Sequence, residues 1–308
     1  MPVEVRMRPA RTAPVLLAAA VLLAGCAGST ATSEGAPAAP VGPAAPADAA
    51  DGAPADAAPG EGSSTTVVVH LVRSGPTAFF VEPIEVPVPS DAPAPTSTAA
   101  RISAAVAALL AVTDPADPDL ATSAPPGTLV RDVVLDGDVV VLDLGGSLAG
   151  SSGGSAEEST FAQQLAHTVT SAAPGVEGVR VLLDGRPVPS LWGHLDWSVT
   201  LVADPFALSP VTIAAPAVGA TVPVGELTVT GRATVFEGTV LVRLERADGT
   251  VLEEGFVTAT VGGPGRGDWT WTVVLPGPGS YRLVAGASDP SDGEGPPPFE
   301  VVRSVTVA

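Results

Sequence analysis

The sequence predicts an α+β domain of element order ββαββαβ, followed by an all-β immunoglobulin-like sandwich and preceded by a disordered N-terminal tether. Three observations carry this. Residues 65–190 mix β-branched runs with two stretches of helical spacing, residues 209–308 hold only short strands cut by Gly, Pro and Asp-Gly turns, and residues 27–64 nearly lack large apolar side chains. The chain divides accordingly into a signal segment 1–25, a tether 26–64, an α+β domain 65–190, a connector 191–208 and a sandwich 209–308.

Arg6, Arg8 and Arg11 precede an apolar run from Ala13 to Leu23, which is too short to span a bilayer and has the length of a signal-peptide core. The run ends in Leu23-Ala24-Gly25-Cys26. From Ala27 to about Ser64 the chain is almost entirely Ala, Pro, Gly, Ser, Thr and Asp. Such a composition cannot offset the entropy of ordering. As a tether it would reach roughly 35 Å when coiled and about 120 Å when extended.

Order is expected to begin at Thr65-Thr66-Val67-Val68-Val69-His70-Leu71-Val72, a β-branched strand run, with a second strand over Ala78 to Val88. Ile102, Val106, Leu109 and Leu110 fall at i, i+4, i+7 and i+8 on a helix that must stop near Asp114-Pro115. Leu129 to Leu144 contains Asp136-Gly137, a tight-hairpin signal. Ser155-Ala156-Glu157-Glu158 has capping-box spacing and opens a second helix, whose buried stripe is Phe161, Leu165, Val169 and Ala172. Gly178 to Leu183 closes the domain, and both helices are expected to cover one face of a sheet.

Beyond the connector, strands are expected at about 210–214, 226–235, 239–246, 250–260, 268–275, 280–287 and 299–307. About seven short strands without a helix signal imply a β-sandwich of immunoglobulin type. It can hold no inter-sheet disulfide, because Cys26 is the only cysteine in the 308 residues.

The formal net charge of −19, with arginine as the only strong base, makes nucleic acid a poor partner, since binding would have to neutralise phosphates. The best enzyme lead is Gly150-Ser151-Ser152-Gly153-Gly154, which satisfies GxSxG and precedes His167 and His194. A nucleophile elbow needs its serine on a sharp strand-to-helix turn, and several loop residues separate Ser152 from each element. A loop with a helix cap is the expected reading, so no catalytic residue is assigned.

His70, His167 and His194 lack HxxxH spacing and are expected to be surface or partly buried histidines rather than metal ligands. Asp114, Asp117 and Asp119, and separately Asp289, Asp292 and Glu294, could offer oxygens to calcium, but prolines interrupt both groups and neither fits an EF-hand. Solvated acidic loops are expected, with no metal and no cofactor. Trp269 and Trp271 share a strand face with Val273 and are expected to pack in the core. Trp192 and Trp197 could seat one domain on the other or offer a stacking surface to a wall glycan. Arg266 and Asp268 are expected as exposed loop charges, with partner contact as the alternative.

Leu23-Ala24-Gly25-Cys26 resembles the lipobox of bacterial lipoproteins. That resemblance implies cleavage before Cys26, acylation of its sulfur and anchoring at the outer side of the cell membrane. Residues from about 65 to 190 resemble the GerMN domain of sporulation and spore germination proteins. The match is carried by Pro126-Gly127-Thr128, Val139 to Leu144, Gly153 to Glu158, Gln164 with Thr168-Val169-Thr170, and Val179 to Gly185. His167 departs from it, standing where an aromatic residue is expected.

Residues from about 209 to 308 resemble the immunoglobulin-like domain of bacterial spore germination, through Gly231 to Glu237, Glu254 to Thr260 and Gly263 to Gly267. GerMN folds are similar to ring-building modules that assemble laterally. The resemblance therefore implies a non-catalytic envelope protein with protein or cell-wall partners, leaves self-association open, and sets peptidoglycan binding as the alternative.

Overall fold

The computed structural model describes residues 66–88, 95–288, 294–295 and 297–308. The signal segment, the tether and Cys26 lie outside the described residues, as do Asp289, Asp292 and much of the Pro290 to Pro298 stretch.

The first domain opens with the hairpin β1 (Thr66–Ser74) and β2 (Phe79–Pro87), paired over nine residues from Thr66↔Pro87 to Ser74↔Phe79. Helix α1 (Thr98–Ala111) starts at Ser97, whose hydroxyl accepts the N–H of Ala100 and so satisfies one of the free donors of the first turn. Its buried face is Ile102, Ala105, Val106 and Leu109, while Leu110 is half-buried. A two-residue strand β3 (Leu120–Ala121) pairs with β1.

Strands β4 (Thr128–Asp136) and β5 (Val139–Gly146) form the expected hairpin, with Gly137-Asp138 as its loop. Gly137 takes the positive φ of 64° that favours glycine in such a turn. Helix α2 (Ser155–Ala172) then returns the chain so that β6 (Gly178–Leu183) pairs parallel to β5, and β7 (Arg186–Pro187) adds a short antiparallel end.

The element order is as expected, with two two-residue strands added. The sheet is not: the strands form two sheets, β2-β1-β3 and β4-β5-β6-β7, instead of one. Helices α1 and α2 pack on each other and on β1, and also reach β4 and β6 respectively. Val69, Leu71, Leu109, Leu142, Phe161 and Leu165 thus belong to one core shared by both sheets and both helices. This gives α2 a second buried face. Thr160, Gln164, His167 and Thr168 are buried along with the stripe Phe161, Leu165 and Val169, and Ala172 is half-buried.

The second domain is the expected sandwich. One sheet runs β13 (Gly267–Leu275), β10 (Gly225–Ala233), β8 (Val211–Ala215). The other runs β12 (Val251–Thr258), β11 (Thr239–Arg246), β14 (Gly279–Ala287), β15 (Glu300–Val307), β9 (Thr221–Val222), with β9 parallel to β15. Trp269, Trp271, Val273 and Leu275 alternate inward along β13, which places both tryptophans in the core. Gly231 lets Trp269 lie flat on β10, because a Cβ there would run into the Trp269 ring and the carbonyl of Thr212.

Candidate functional site

The Gly-Ser loop and the connector form one structure around Glu158. Helix α2 is capped by Gly154, whose N–H donates to the Glu157 carboxylate at 2.8 Å. The cap is therefore one residue earlier than Ser155 and uses Glu157, which frees Glu158 for another role. Glu158 is fully buried and accepts from the N–H groups of Leu191 and Trp192 at 3.0 Å, His194 at 2.8 Å and the Ser190 hydroxyl at 3.2 Å. Burial pushes its carboxyl up, but the Trp192, His194, Leu191 and Ser190 hydrogen bonds outweigh this and hold it below the usual carboxylate range.

Within this arrangement Ser151 accepts the indole N–H of Trp192 at 3.0 Å. Ser152 is exposed, and no hydrogen bond joins it to a histidine. Trp192 stacks on Phe161 at 6.4 Å between ring centres, and buried Trp197 lies 5.9 Å from the same ring. Both tryptophans therefore seat the connector on the core of the first domain. They do not lie between the domains and do not present a shared platform for a glycan.

His70 and His167, expected nearer the surface, are buried with ring centres 5.2 Å apart. The reason is α2's second buried face, which turns His167 toward β1. The β1 backbone is tied to that face by the N–H of His70 donating to Thr168 and by Gln164 donating to the carbonyl of His70. Burial first, then the charges of His167 and Arg266, push the His70 pKa down to about 3. His167 is also lowered by burial, despite its 2.9 Å hydrogen bond with the carbonyl of Asp204. His194 is exposed, and among the described residues no group of three or more His, Cys, Asp or Glu could hold a metal ion.

The two domains meet at a buried ion cluster. Arg73 on β1 binds Glu82 on β2 at 2.6 Å and Asp117, after α1, at 2.6 Å. Arg303 on β15 approaches Asp117 at 3.8 Å and donates to the carbonyl of Ile213 at 2.7 Å. All four charged side chains are buried. Burial would lower the Arg73 guanidinium, but hydrogen bonds and charge from Glu82 and Asp117 reverse the direction and raise it. For Arg303 burial prevails and the shift is downward.

Asp117 is thus an ion-pair partner and not a solvated loop acid, while Asp114 and Asp119 are exposed, as is Glu294. Ser209 adds a backbone link, donating its N–H to the carbonyl of Val81 at 2.9 Å and accepting from Arg266 at 2.8 Å. Arg266 is half-buried at this junction, and burial followed by the charge of Arg232 lowers its pKa to about 10. Asp268 stays exposed and pairs with Arg232 at 3.0 Å. Edge-on contact of Phe80 with Phe299 at 5.2 Å completes the junction.

An α+β domain joined through buried charges to an immunoglobulin-like sandwich is the class that fold and junction define. Residues 73–189 match the family described as sporulation and spore germination, and residues 210–294 match the immunoglobulin-like domain of bacterial spore germination. The chain therefore carries a sporulation and spore germination domain followed by an immunoglobulin-like spore germination domain.

Among solved structures, a candidate lipoprotein from Clostridium perfringens is 16% identical with a TM-score of 0.31, covering 45% of this chain and 87% of its own. The tandem GerMN domains of the sporulation protein GerM from Bacillus subtilis are 15% identical with a TM-score of 0.33, covering 43% of each chain. A modular endo-β-1,4-mannanase from Cellulomonas fimi is 20% identical with a TM-score of 0.25, covering 48% of this chain and 35% of its own. No curated protein sequence matches the chain. Among the described residues, no helix is long and apolar enough to cross a membrane.

Proposed function

We propose that this is a lipid-anchored cell-envelope protein that acts in sporulation or germination as a non-catalytic interaction module, held to the membrane through Cys26. The observation that carries the reading is the pairing of two spore germination domains through the buried Arg73, Glu82, Asp117 and Arg303 cluster. Such a junction fixes one domain against the other, as a scaffold requires. The lipobox-like Leu23 to Cys26 supports the anchor. Two acyl chains hold a protein stably where one alone is marginal.

Fractionation tests the reading. The full chain should label with radioactive palmitate and sediment with membranes, whereas Cys26→Ala should lose the label and accumulate as precursor with both domains folded. Equal labelling of the variant, or release of both forms into the medium, would refute the anchor. Crosslinking in sporulating cells that captures no envelope protein would refute the interaction role.

A further inference from the structure

Strand β12 is an edge of the five-stranded sheet, paired with β11 on one side only. Over Glu253 to Thr258, where the register with β11 is regular, every second N–H and C=O therefore points away from the sandwich. The strand is nonetheless largely in solvent: seven of the eight residues are exposed, and only Val257, half-buried, packs against the sandwich core. Phe256 is 69% exposed and lies directly across from Leu241, itself 38% exposed, so an apolar pair sits beside the open edge.

Two carboxylates select what can pair there. Glu254 stands opposite Arg243, but that guanidinium is taken by Glu245 at 3.0 Å and Glu300 at 2.8 Å. Glu253 stands opposite buried Leu244, so it is a charge on the inward face of an edge strand. Neither glutamate has an ion-pair partner among the described residues. Inward charge on an edge is a device against unselective pairing. A second copy would bring the same glutamates to the edge of a chain whose net charge is −19. A cationic strand would neutralise them.

We infer that β12 receives, by strand addition, an extended segment of a partner protein with an apolar residue to meet Phe256 and two consecutive basic residues to meet Glu254 and Glu253. In the antiparallel sense the segment reads apolar, any residue, basic, basic. Main-chain hydrogen bonds supply the pairing, and the side chains supply the choice of partner. The inference deepens the interaction role proposed above and rests on it. The two fail separately, because loss of the Cys26 anchor leaves the β12 edge intact.

The test is amide hydrogen exchange of the full chain with a synthetic eight-residue peptide of that pattern, carrying valine and two lysines. Two controls accompany it: the same peptide N-methylated at alternate amides, and one with glutamates for the lysines. At saturation the basic peptide should slow exchange at alternate amides of residues 251–258 by about tenfold or more, and neither control should. Paired Glu253→Lys and Glu254→Lys substitutions, both at exposed positions, should shift the preference to the acidic peptide.

Absence of protection at millimolar peptide would overturn the inference, as would protection that survives N-methylation or is equal for both charges. Protection that grows with protein concentration and needs no peptide would overturn it in favour of self-pairing.

Discussion

Replacing Glu158 by Gln alters one charge without altering shape, at the point where the connector is fastened to α2. One carboxylate oxygen accepts from Ser190, Leu191 and Trp192, and the other accepts from His194. In the variant the amide oxygen can keep the first three, but its NH2 then meets the N–H of His194, donor against donor. Hydrogen bonds to a charged acceptor contribute about 1.5–3 kcal/mol each, and an unsatisfied donor costs about 1–3 kcal/mol. Glu158→Gln should therefore destabilise the protein by about 2–4 kcal/mol at neutral pH.

The penalty must also depend on pH, in a direction that the lowered carboxyl fixes. A group held below its unfolded value contributes stability that is complete above about pH 4.3 and lost as pH falls through the folded value. Once Glu158 is protonated it is nearly isosteric with Gln, and the gap between the two proteins should close. Urea denaturation of both, followed by tryptophan fluorescence at neutral pH and in acid, measures this directly. A difference below about 0.5 kcal/mol at neutral pH, or a gap that does not narrow in acid, would refute the role assigned to Glu158.

Three further outcomes follow from the same geometry. Arg73→Met strands Glu82 and Asp117 in a buried site with Arg303 alone, and should cost about 3–5 kcal/mol by calorimetry, part of it recovered by adding Glu82→Gln and Asp117→Asn. His70 is held at about 3, so its contribution is whole above about pH 6.5 and falls away toward pH 3, by about 5 kcal/mol in all; His70→Phe should flatten that part of the stability profile. Gly231→Ala should destabilise by about 1–3 kcal/mol in thermal melts, because its methyl group meets Trp269 and the Thr212 carbonyl.

The strands of the sandwich were legible because each alternates against a single core and is bounded by a local turn signal. Trp269, Trp271 and Val273 could be placed inside from spacing alone. In the first domain periodicity found α1 and α2 but not how much of α2 is covered. A single periodic stripe marks one buried face, and here two sheets bury two, which is why spacing alone puts His167 too near the surface.

Glu158 carried a readable signal. It stands three residues before Phe161, on the apolar stripe, where a solvated glutamate does not belong. The same glutamate also fits the capping pattern Ser155-Ala156-Glu157-Glu158, which by itself places it at a solvated helix end. The ion cluster had no such signal, because Arg73 and Arg303 are 230 positions apart and each, taken locally, is an ordinary strand arginine.

That cluster also limits how this chain can be recombined. The first domain supplies Arg73, Glu82 and Asp117, leaving it one positive charge short, and the second domain makes good the deficit with Arg303. Exchanging the sandwich for another of the same fold would bury an uncompensated carboxylate unless the newcomer brought a cation to the position of Arg303. The two domains are separate folds whose buried charges balance only when they are kept together.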